Sequence, residues 1–477
     1  MTLSPPRQRA EMSGISEAPG KVWFWELAAA VIDADRCVQC GACVAACPTD
    51  SIGIGSDNLP KLVKMCTGCS LCWDFCPRGG MRYEATWWPA EESAVTAEAS
   101  ATWETVASSS AVPAFAGSAT PADVAGSSSA VPASGRPASV QVTLSQRRGA
   151  GVAAGDRGAV SAVDDWRITG ADPAPGLGLV REAIAARVLP TSKLGTDCAQ
   201  DGGVVTAILL ASLAAGEIDG AVVAREDPDH PWKGVPHLAT TAVEIREAAG
   251  SFYNQTMALG SIDLAAAGLS PDARIALVGT PCEIQGLKAL QSRQWRRGSR
   301  AVDNVVLTIA LLCTKSFDYS KLMLRELRDE RHVDLAEVGK VDVIHGRMIV
   351  EDQAGQRIVD EPVKDFHGAA LKGCDECADF LGRAADISVG SVGSGAGYSS
   401  VLVRTQVGLQ AIDLVRPELE IVDIEAPEAL DRLDRLDKKI ASTTLHRPFQ
   451  PEGPLFVDFA EHLAFYGGTD RAPVWQD

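Results

Sequence analysis

Eight cysteines lie in a short stretch with a spacing that suits metal clusters. The first series is Cys37, Cys40, Cys43 and Cys47, and the second is Cys66, Cys69, Cys72 and Cys76. Both series have gaps of two, two and three residues, and both end in Cys-Pro. In this repeat, three cysteines of one series bind one 4Fe-4S cubane and the fourth reaches the other cubane. We therefore expect one cluster on Cys37, Cys40, Cys43 and Cys76 and another on Cys66, Cys69, Cys72 and Cys47.

Zinc is the alternative ligand for these cysteines, because pairs of the Cys-x2-Cys type also bind zinc tetrahedrally. Three cysteines at successive two-residue gaps, followed by Cys-Pro and then repeated, exceed what a zinc site needs. The spacing therefore favours a ferredoxin-type module. Two adjacent clusters relay single electrons, but they do not identify a substrate.

Four of the remaining five cysteines are also candidates for ligands. Cys282 and Cys313 each follow a predicted strand, where a sheet presents groups to a ligand, and Cys374 and Cys377 form another Cys-x2-Cys pair. They could hold a third cubane or be buried thiols of the core, where free cysteine is common. The spacing leaves both interpretations open. Cys198 has no cysteine partner nearby, and we expect a packed thiol.

Composition and charge exclude several classes of protein. The chain has 477 residues, 46% of them apolar, which suits two or three domains. Its net charge of -18 argues against nucleic-acid binding, which normally needs a clustered basic excess. No apolar run reaches the roughly 20 residues of a membrane span, and the first residues contain no export signal. We expect a cytoplasmic protein whose cysteines bind metal.

The chain divides into five expected segments of an α+β protein. They are an N-terminal extension at 1–29, a ferredoxin-type domain with two 4Fe-4S clusters at 30–88, a flexible linker at 89–163, an α/β domain at 164–335, and a mixed α+β domain at 336–477. The linker is rich in Ala, Ser and Pro, and it lacks the large apolar residues that would offset its chain entropy.

Alternating helices and strands are predicted after residue 166. The expected helices are 204–215, 281–293, 319–331 and 426–441. The expected strands are 220–224, 275–279 and 305–312, followed by short β segments at 348–350, 357–359, 387–389 and 401–403.

Several strings in this region resemble a known family. They are AQDGGVVT at 199–206, IDGAVV at 218–223, GTPC at 279–282, GCDECADF at 373–380, ADISVGSVGS at 385–394 and VLVRT at 401–405. Together they resemble the coenzyme F420 hydrogenase/dehydrogenase beta-subunit family over about 166–450, and a ferredoxin module in front also occurs in that family. The long linker departs from a compact member of the family.

The resemblance implies an FAD in the α/β domain and a third 4Fe-4S cluster on Cys282, Cys313, Cys374 and Cys377. It also implies that the deazaflavin coenzyme F420 is oxidised or reduced at the flavin. A deazaflavin carries hydride whereas clusters take single electrons, so a flavin, which does both, belongs between them. The protein would mainly position the reacting rings, and we expect no acid-base triad.

For the flavin we expect contacts from Asp201, Gly202, Gly203 and Thr206, because paired glycines before a helix let backbone N–H groups approach a phosphate or a ring edge. The alternative is an ordinary helix start with an Asp cap. Two further groups complete the predicted flavin site. They are Gly279, Thr280 and Pro281, and Ser391 with Gly393.

Basic side chains are candidates for the coenzyme's phosphate and carboxylates. The stretch at 293–300 contains four arginines and could clamp these groups, or it could be a solvated loop. Lys193 and Lys372 are further candidates of this kind. His367 could relay a proton, although a lone histidine is more often simply hydrogen-bonded in place.

The expected function is electron exchange between coenzyme F420 and ferredoxin or a partner subunit, through FAD and the clusters. The resemblance also allows an oligomer. Two alternatives stay open, a ferredoxin-dependent reductase of a tetrapyrrole and a relay subunit without flavin or catalysis. Measurements of the flavin content and of the response to reduced coenzyme distinguish the three hypotheses.

Overall fold

The fold is taken from a computed structural model, which describes residues 23–69, 71–78, 173–174, 177–196, 199–291 and 301–444. The predicted linker at 89–163, the basic stretch at 293–300 and Cys198 lie outside the described residues, as does most of the predicted extension at 1–29. Within the described part of the chain, no helix combines the length and the apolar character that a bilayer crossing requires.

The cysteine-rich module is built from short elements. Its helices are Phe24–Leu27, which continues as a π-helical turn at Ala28–Ile32, then Ala42–Ala46 and Leu71–Asp74. Strands β1 (Ile52–Ile54) and β2 (Pro60–Leu62) form an antiparallel hairpin. Phe24, Leu27 and Trp73 are buried among the cysteines and form the apolar part of this small core.

The larger domain is organised around one eight-stranded sheet. After a short pair, β3 (Pro173–Ala174) and β4 (Gly178–Leu179), its strands are β5 (Glu182–Val188), β6 (Gly220–Asp227), β7 (His230–Ala239), β8 (Ile275–Gly279), β9 (Val305–Leu311), β13 (Ile387–Gly390), β14 (Ser399–Val403) and β15 (Leu419–Val422). Their order is β15-β5-β14-β13-β9-β8-β6-β7. Strands β6, β8, β9 and β13 are parallel, and β7, β14 and β15 are antiparallel to their neighbours. The carboxyl ends of β5, β6, β8, β9 and β13 therefore meet at one edge.

Apolar residues cover both faces of this sheet, as parallel strands require. Along β8, Ile275 and Leu277 face one core while Ala276 faces the other. Helices Val204–Ala214 and Gln406–Val415 pack on the second core. Helix Pro281–Gln291 lies on the first core, together with residues of the cysteine-rich module. The module is thus packed against one face of the sheet domain.

A smaller sheet interrupts the larger one in sequence. Strands β10 (Val338–Ile344), β11 (Arg347–Asp352) and β12 (Arg357–Pro362) form an antiparallel sheet. Around it lie a π-helix at Ser320–Glu330 and 3-10 segments at Val363–Ala369 and Lys372–Glu376. The chain then returns to the large sheet and ends its described part in helix Pro427–Thr444. Because the large sheet takes strands from both sides of residue 335, the predicted division there does not separate two sheets.

The remaining short elements complete the chain path. They are helix Ala242–Glu247 and 3-10 segments at Ala258–Ser261, Val302–Asn304 and Arg416–Glu418. The strongly apolar elements agree with the prediction, including the strand at Ile275–Gly279 and the helix that begins at Val204. Prediction missed the edge strands β7 and β15, β5 and helix Gln406–Val415.

Candidate functional site

The first cysteine cavity lies inside the module. It has a volume of about 370 Å³, and its lining includes Cys37, Cys40, Cys43 and Cys76. Backbone N–H groups point at its sulfurs: Gln39 donates to Cys37 Sγ over 3.4 Å, and Arg78 donates to Cys76 Sγ over 3.4 Å. This grouping, with Cys76 from the second series, is the crossed one that the spacing predicts.

The second cavity has a volume of about 280 Å³. Its lining includes Cys47, Cys66, Cys69 and Cys72. Ser51 donates its N–H to Cys47 Sγ over 3.2 Å, and Gly68 donates to Cys66 Sγ over 3.4 Å. In both cavities, four thiols and inward N–H groups surround an open space, which fits the sulfur-rich surface of a cubane.

Two glycines in the left-handed region shape the Cys-x2-Cys turns. Gly41 has φ 77° and Gly68 has φ 67°, a conformation that side chains rarely adopt. A Cβ on Gly41 would also lie 2.6 Å from the backbone nitrogen of Gly260, in the sheet domain. Gly41 therefore serves both the cysteine turn and the close approach of the two domains.

Burial dominates the electrostatics of the first cavity. It raises the pKa of Cys37 to about 12, and it raises the pKa values of Cys40 and Cys43 above the usual range. Protons leave such buried thiols easily only when a cation replaces them. The donor set therefore fits a metal cluster, which would supply that positive charge.

A third set of cysteines gathers at the carboxyl edge of the sheet. Cys282 follows β8, Cys313 follows β9, and Cys374 and Cys377 flank the end of Lys372–Glu376. Burial and then Cys374 and Cys377 raise the pKa of Cys313, whose Sγ lies 3.9 Å from Ser316 Oγ. The pKa of Cys282 is raised by burial first and then by Cys40, Glu283 and Cys377.

Polar side chains tie this third set together. Gln255 Nε2 donates to Ser316 Oγ over 2.9 Å and lies 3.7 Å from Cys282 Sγ. Ser316 donates its N–H to Cys374 Sγ over 3.5 Å, and Thr280 Oγ1 lies 3.2 Å from Cys282 Sγ. Gln255 and Ser316 are buried. Sequence reasoning missed both residues, because nothing in their local pattern indicates a contact with distant cysteines.

The cysteine-rich module is fixed to the sheet domain by directional contacts. Arg36 donates two hydrogen bonds to the Glu376 carboxylate, from Nε over 2.6 Å and from Nη2 over 2.9 Å. Asn58 Nδ2 donates to the Gln255 carbonyl oxygen over 2.7 Å. A Cβ on Gly373 would overlap the carbonyl oxygen of Arg36. The first cavity is therefore held beside the third cysteine set.

Arg78 lies at this junction. Its Nε donates to the Gly373 carbonyl oxygen over 2.8 Å, and only 4% of the residue is exposed. Burial lowers its pKa, but the neighbouring Cys377, Glu376, Cys282 and Cys374 raise it more, so the pKa of Arg78 is above its usual value. Sequence reasoning missed Arg78, which follows the last Cys-Pro.

The residues predicted to contact a flavin come together at the same edge of the sheet, but several are already engaged. Gly202 donates its N–H to Ser399 Oγ over 3.2 Å, and a Cβ there would overlap the Ala186 carbonyl oxygen. Gly203 has φ 70° and precedes the helix that begins at Val204. Thr206 is buried in that helix. Gly202 is thus required by packing, and its N–H is not free for a ligand.

The other two predicted groups also make contacts within the fold. Thr280 donates its N–H to Glu283 Oε2 over 3.0 Å, which closes the turn before the helix that starts at Pro281. A Cβ on Gly279 would lie 2.7 Å from the same oxygen. Gly393 has φ 89° and accepts a hydrogen bond from the Ala426 N–H over 2.9 Å, and Ser391 lies just before it.

Facing Asp201 is a polar cluster that the sequence did not indicate. Tyr253 donates its hydroxyl to Asp342 Oδ1 over 3.2 Å, and Lys340 lies 3.2 Å from the other oxygen of Asp342. Burial and then Asp342 raise the pKa of Asp201 to about 6, while Lys340 lowers it. Burial and Asp342 also raise the pKa of Tyr253. These groups come from loops and from β10, far apart in sequence.

An aromatic cavity of about 250 Å³ adjoins this cluster. Its lining includes Trp232, Tyr253, Phe317 and Tyr319. These rings come from three separate segments, so local spacing gave no signal of the cavity. Flat apolar walls next to carboxylates provide a surface for a flat, partly polar ring.

The three residues that were predicted individually as coenzyme or proton-relay candidates are exposed. Lys372 is largely exposed and pairs with Asp35 of the module over 3.0 Å. Lys193 is exposed, and its carbonyl oxygen accepts from Arg246. His367 is exposed, and burial and then Lys315 lower its pKa.

The fold and its cysteine sets define an iron-sulfur protein of the oxidoreductase type, and the comparisons with known proteins agree. A 4Fe-4S dicluster domain model matches residues 30–82. The models for the coenzyme F420 hydrogenase/dehydrogenase beta subunit match residues 191–263 for the N-terminal part and 272–427 for the C-terminal part. The chain belongs to the coenzyme F420 hydrogenase/dehydrogenase beta-subunit family, which confirms the resemblance.

Individual relatives support this assignment. The coenzyme F420 hydrogenase subunit beta of Methanosarcina barkeri is 31% identical over 273 residues, covering 54% of this chain and 91% of the relative. The coenzyme F420-dependent sulfite reductase of Methanocaldococcus jannaschii is 34% identical, covering 57% of this chain but 42% of that protein. A solved F420-reducing [NiFe] hydrogenase complex from Methanosarcina barkeri contains a chain with TM-score 0.52 and 27% identity, covering 62% of this chain and 96% of that one.

Proposed function

We propose that this protein is an oxidoreductase that exchanges electrons between coenzyme F420 and a one-electron partner, through FAD and three 4Fe-4S clusters. The observation that carries the proposal is the docking of the cysteine-rich module. Because Cys40 and Cys282 are buried in the same packed core cluster, the first cavity and the third cysteine set are neighbours. Electrons could then pass from the sheet edge into the module over a short distance.

The proposed ligands follow the three sets. One cluster is held by Cys37, Cys40, Cys43 and Cys76, one by Cys47, Cys66, Cys69 and Cys72, and one by Cys282, Cys313, Cys374 and Cys377. Four thiols and inward N–H groups surround each of the first two cavities. The third set has the Ser316 N–H and the Gln255 and Thr280 side chains around its sulfurs.

FAD, when bound, would accept hydride from the reduced coenzyme and release electrons singly, or do the reverse. We propose that its site lies at the carboxyl edge, where the Asp201–Gly203 turn, the Thr280 turn and the Ser391–Gly393 turn converge. Gly202 and Gly393 would shape the site, because their contacts are with the protein itself. Asp201, Asp342 and Tyr253 would supply its polar wall.

The partner would dock where the second cavity approaches the surface. In the second set Cys66 and Cys69 are half-buried, whereas in the first set only Cys37 is. A partner subunit fits the known relative, which is a chain of a hydrogenase complex, and ferredoxin is the other candidate. Electron transfer slows steeply with distance, so the most exposed cluster is the natural exchange point.

The test is anaerobic purification, analysis of flavin and iron, and rapid mixing with reduced coenzyme F420. We expect flavin and about twelve irons per chain, with bleaching of the flavin absorbance followed by that of the clusters. In Cys282→Ala the flavin should still bleach while the module clusters stay oxidised, and Cys198→Ala should behave as the wild type. Flavin-loaded protein that does not bleach would overturn the coenzyme assignment, and flavin-free protein would overturn the FAD assignment.

A further inference from the structure

Arg78 is held in place by two of its three guanidinium nitrogens. Nε donates to the Gly373 carbonyl oxygen over 2.8 Å, and Nη1 donates to the Pro77 carbonyl oxygen over 3.2 Å. Nη2 is buried and has no hydrogen-bond partner among the described residues. The arginine therefore crosses the interface between the domains with one guanidinium nitrogen, Nη2, unpartnered in the described part of the chain.

A buried N–H donor without a partner is destabilising, so its presence needs an explanation. Arg78 forms part of the lining of the first cavity. Its Nε is bound to the carbonyl oxygen of Gly373, the residue directly before Cys374 of the third set. Both oxygens of the neighbouring Glu376 already accept from Arg36. The unused donor thus lies between the two sets of sulfurs.

We infer that Arg78 is a redox-tuning residue, whose Nη2 donates a hydrogen bond to the cluster on Cys282, Cys313, Cys374 and Cys377. This inference rests on the proposed ligand sets. Reduction adds one electron, and hence one negative charge, to a cluster. A nearby cation and a hydrogen bond to sulfur stabilise that charge, so they raise the reduction potential.

The position also gives Arg78 an effect on the route of the electrons. Arg78 is part of the lining of the first cavity and contacts the segment of the third set, but it is not part of the lining of the second cavity. Both junction clusters therefore gain affinity for an electron relative to the distal one. A lysine would keep the charge but would lose the fork that reaches Gly373 and the cluster together.

The experiment is a redox titration of the full-length protein, purified anaerobically and followed by electron paramagnetic resonance. Arg78→Met and Arg78→Lys are compared with the wild type, with iron counted in each sample. We expect a negative shift in the potential of the third cluster in Arg78→Met, and a smaller one in Arg78→Lys. The distal cluster is the internal reference and should not shift in either variant.

Unchanged potentials in Arg78→Met with full iron would overturn the inference. Should Arg78→Met lose iron, an unchanged third-cluster potential in Arg78→Lys would overturn it instead. A shift of equal size in all three clusters would also do so, because it would indicate a general loosening of the fold. Failure of the ligand proposal is distinguishable, since it would appear as fewer than about twelve irons in the wild type.

Discussion

The two cysteine series of the module have the same spacing but very different surroundings. The cavity of Cys37, Cys40, Cys43 and Cys76 faces the sheet domain and has Arg78 in its lining. The cavity of Cys47, Cys66, Cys69 and Cys72 has half-buried cysteines, and the side chains of Val63 and Met65 beside it are 61% and 84% exposed. Of the two cavities built from the repeated motif, an inner one thus lies at the contact with the sheet domain and an outer one lies nearer the surface.

Docking produces this difference. Glycines permit the close contact, since a Cβ on Gly286 of the sheet domain would lie 3.0 Å from the Cβ of Ala42. Arg36 and Glu376 then fix the orientation. The motif alone predicts two clusters, whereas the contact surface decides which of the two cavities adjoins the sheet domain.

The largest expected effect comes from removing one proposed cluster ligand, either Cys377 in the sheet domain or Cys66 in the module. Cys377→Ala should lower the iron content from about twelve to about eight per chain and leave the two module clusters in place. Cys66→Ala should remove a similar amount of iron but leave the junction intact. Iron analysis and electron paramagnetic resonance measure both losses, with Cys198→Ala as the control. Full iron in Cys377→Ala would contradict the third ligand set.

A methyl group at the interface should have the next largest effect. Gly373→Ala places a Cβ against the carbonyl oxygen of Arg36, and backbone yields poorly, so we expect destabilisation by about 1–3 kcal/mol or more. Gly55→Ala on the outer hairpin meets only the flexible side chains of Asp57 and Lys61, so its effect should stay within about 0.5 kcal/mol.

Urea unfolding of the two glycine variants measures this difference. Hydrogen exchange should also become faster in Gly373→Ala around residues 36–44 and 257–260, which face each other. Equal destabilisation by the two variants would mean that the docked face of the module is not packed more tightly than its outer hairpin.

The two ion pairs across the interface should differ in coupling energy according to their burial. In the inner pair, Glu376 is 5% exposed and accepts two hydrogen bonds from Arg36, so a double-mutant cycle should give a coupling energy of about 1–3 kcal/mol. Lys372 and Asp35 are side chains with 72% and 50% exposure, and their coupling should be under about 1 kcal/mol. Similar coupling in both pairs would argue against a buried, oriented contact.

Cysteine spacing predicted the crossed grouping of the cysteines around two cavities, because the Cys-x2-Cys turn is a local feature that Gly41 and Gly68 support with positive φ angles. Strongly apolar strands such as Ile275–Gly279 were predicted because an apolar run is likewise a local feature of the sequence. Strand His230–Ala239 was missed, since it is an edge strand with two prolines and mixed polarity. The docked interface was also missed. Contacts such as Arg36 with Glu376 join residues 340 positions apart, and no local pattern specifies them.

The flavin prediction illustrates the same limit. The string around Asp201 is conspicuous, and glycine suggested a ligand contact. The structure shows that Gly202 is needed because the Ala186 carbonyl oxygen and the Ser399 backbone leave no room for a Cβ. Tyr253, which lines the aromatic cavity, and Asp342, which accepts its hydroxyl hydrogen bond, come from distant segments. These glycines lie at the carboxyl edge of the sheet, but a glycine pattern does not distinguish packing from ligand binding.

The smallest expected effect is a pH dependence of the folding stability. It should arise at this edge of the sheet and not at the docked module. The pKa of Asp201 is raised from 3.8 to about 6 by burial and by Asp342, so the folded state holds a proton that the unfolded chain has released. Stability due to this group is therefore present below pH 4 and is lost as the pH rises through about 6. Asp201→Asn should lack that decline, which urea unfolding between pH 4 and pH 8 measures as the difference between variant and wild type. The coupling energy of Arg36 and Glu376 should be the same in Asp201→Asn as in the wild type, because the two regions share no contact in the described structure. A pH-independent difference between variant and wild type would show that Asp201 is already ionised in the folded protein, and the polar wall proposed for the flavin would then carry a full negative charge.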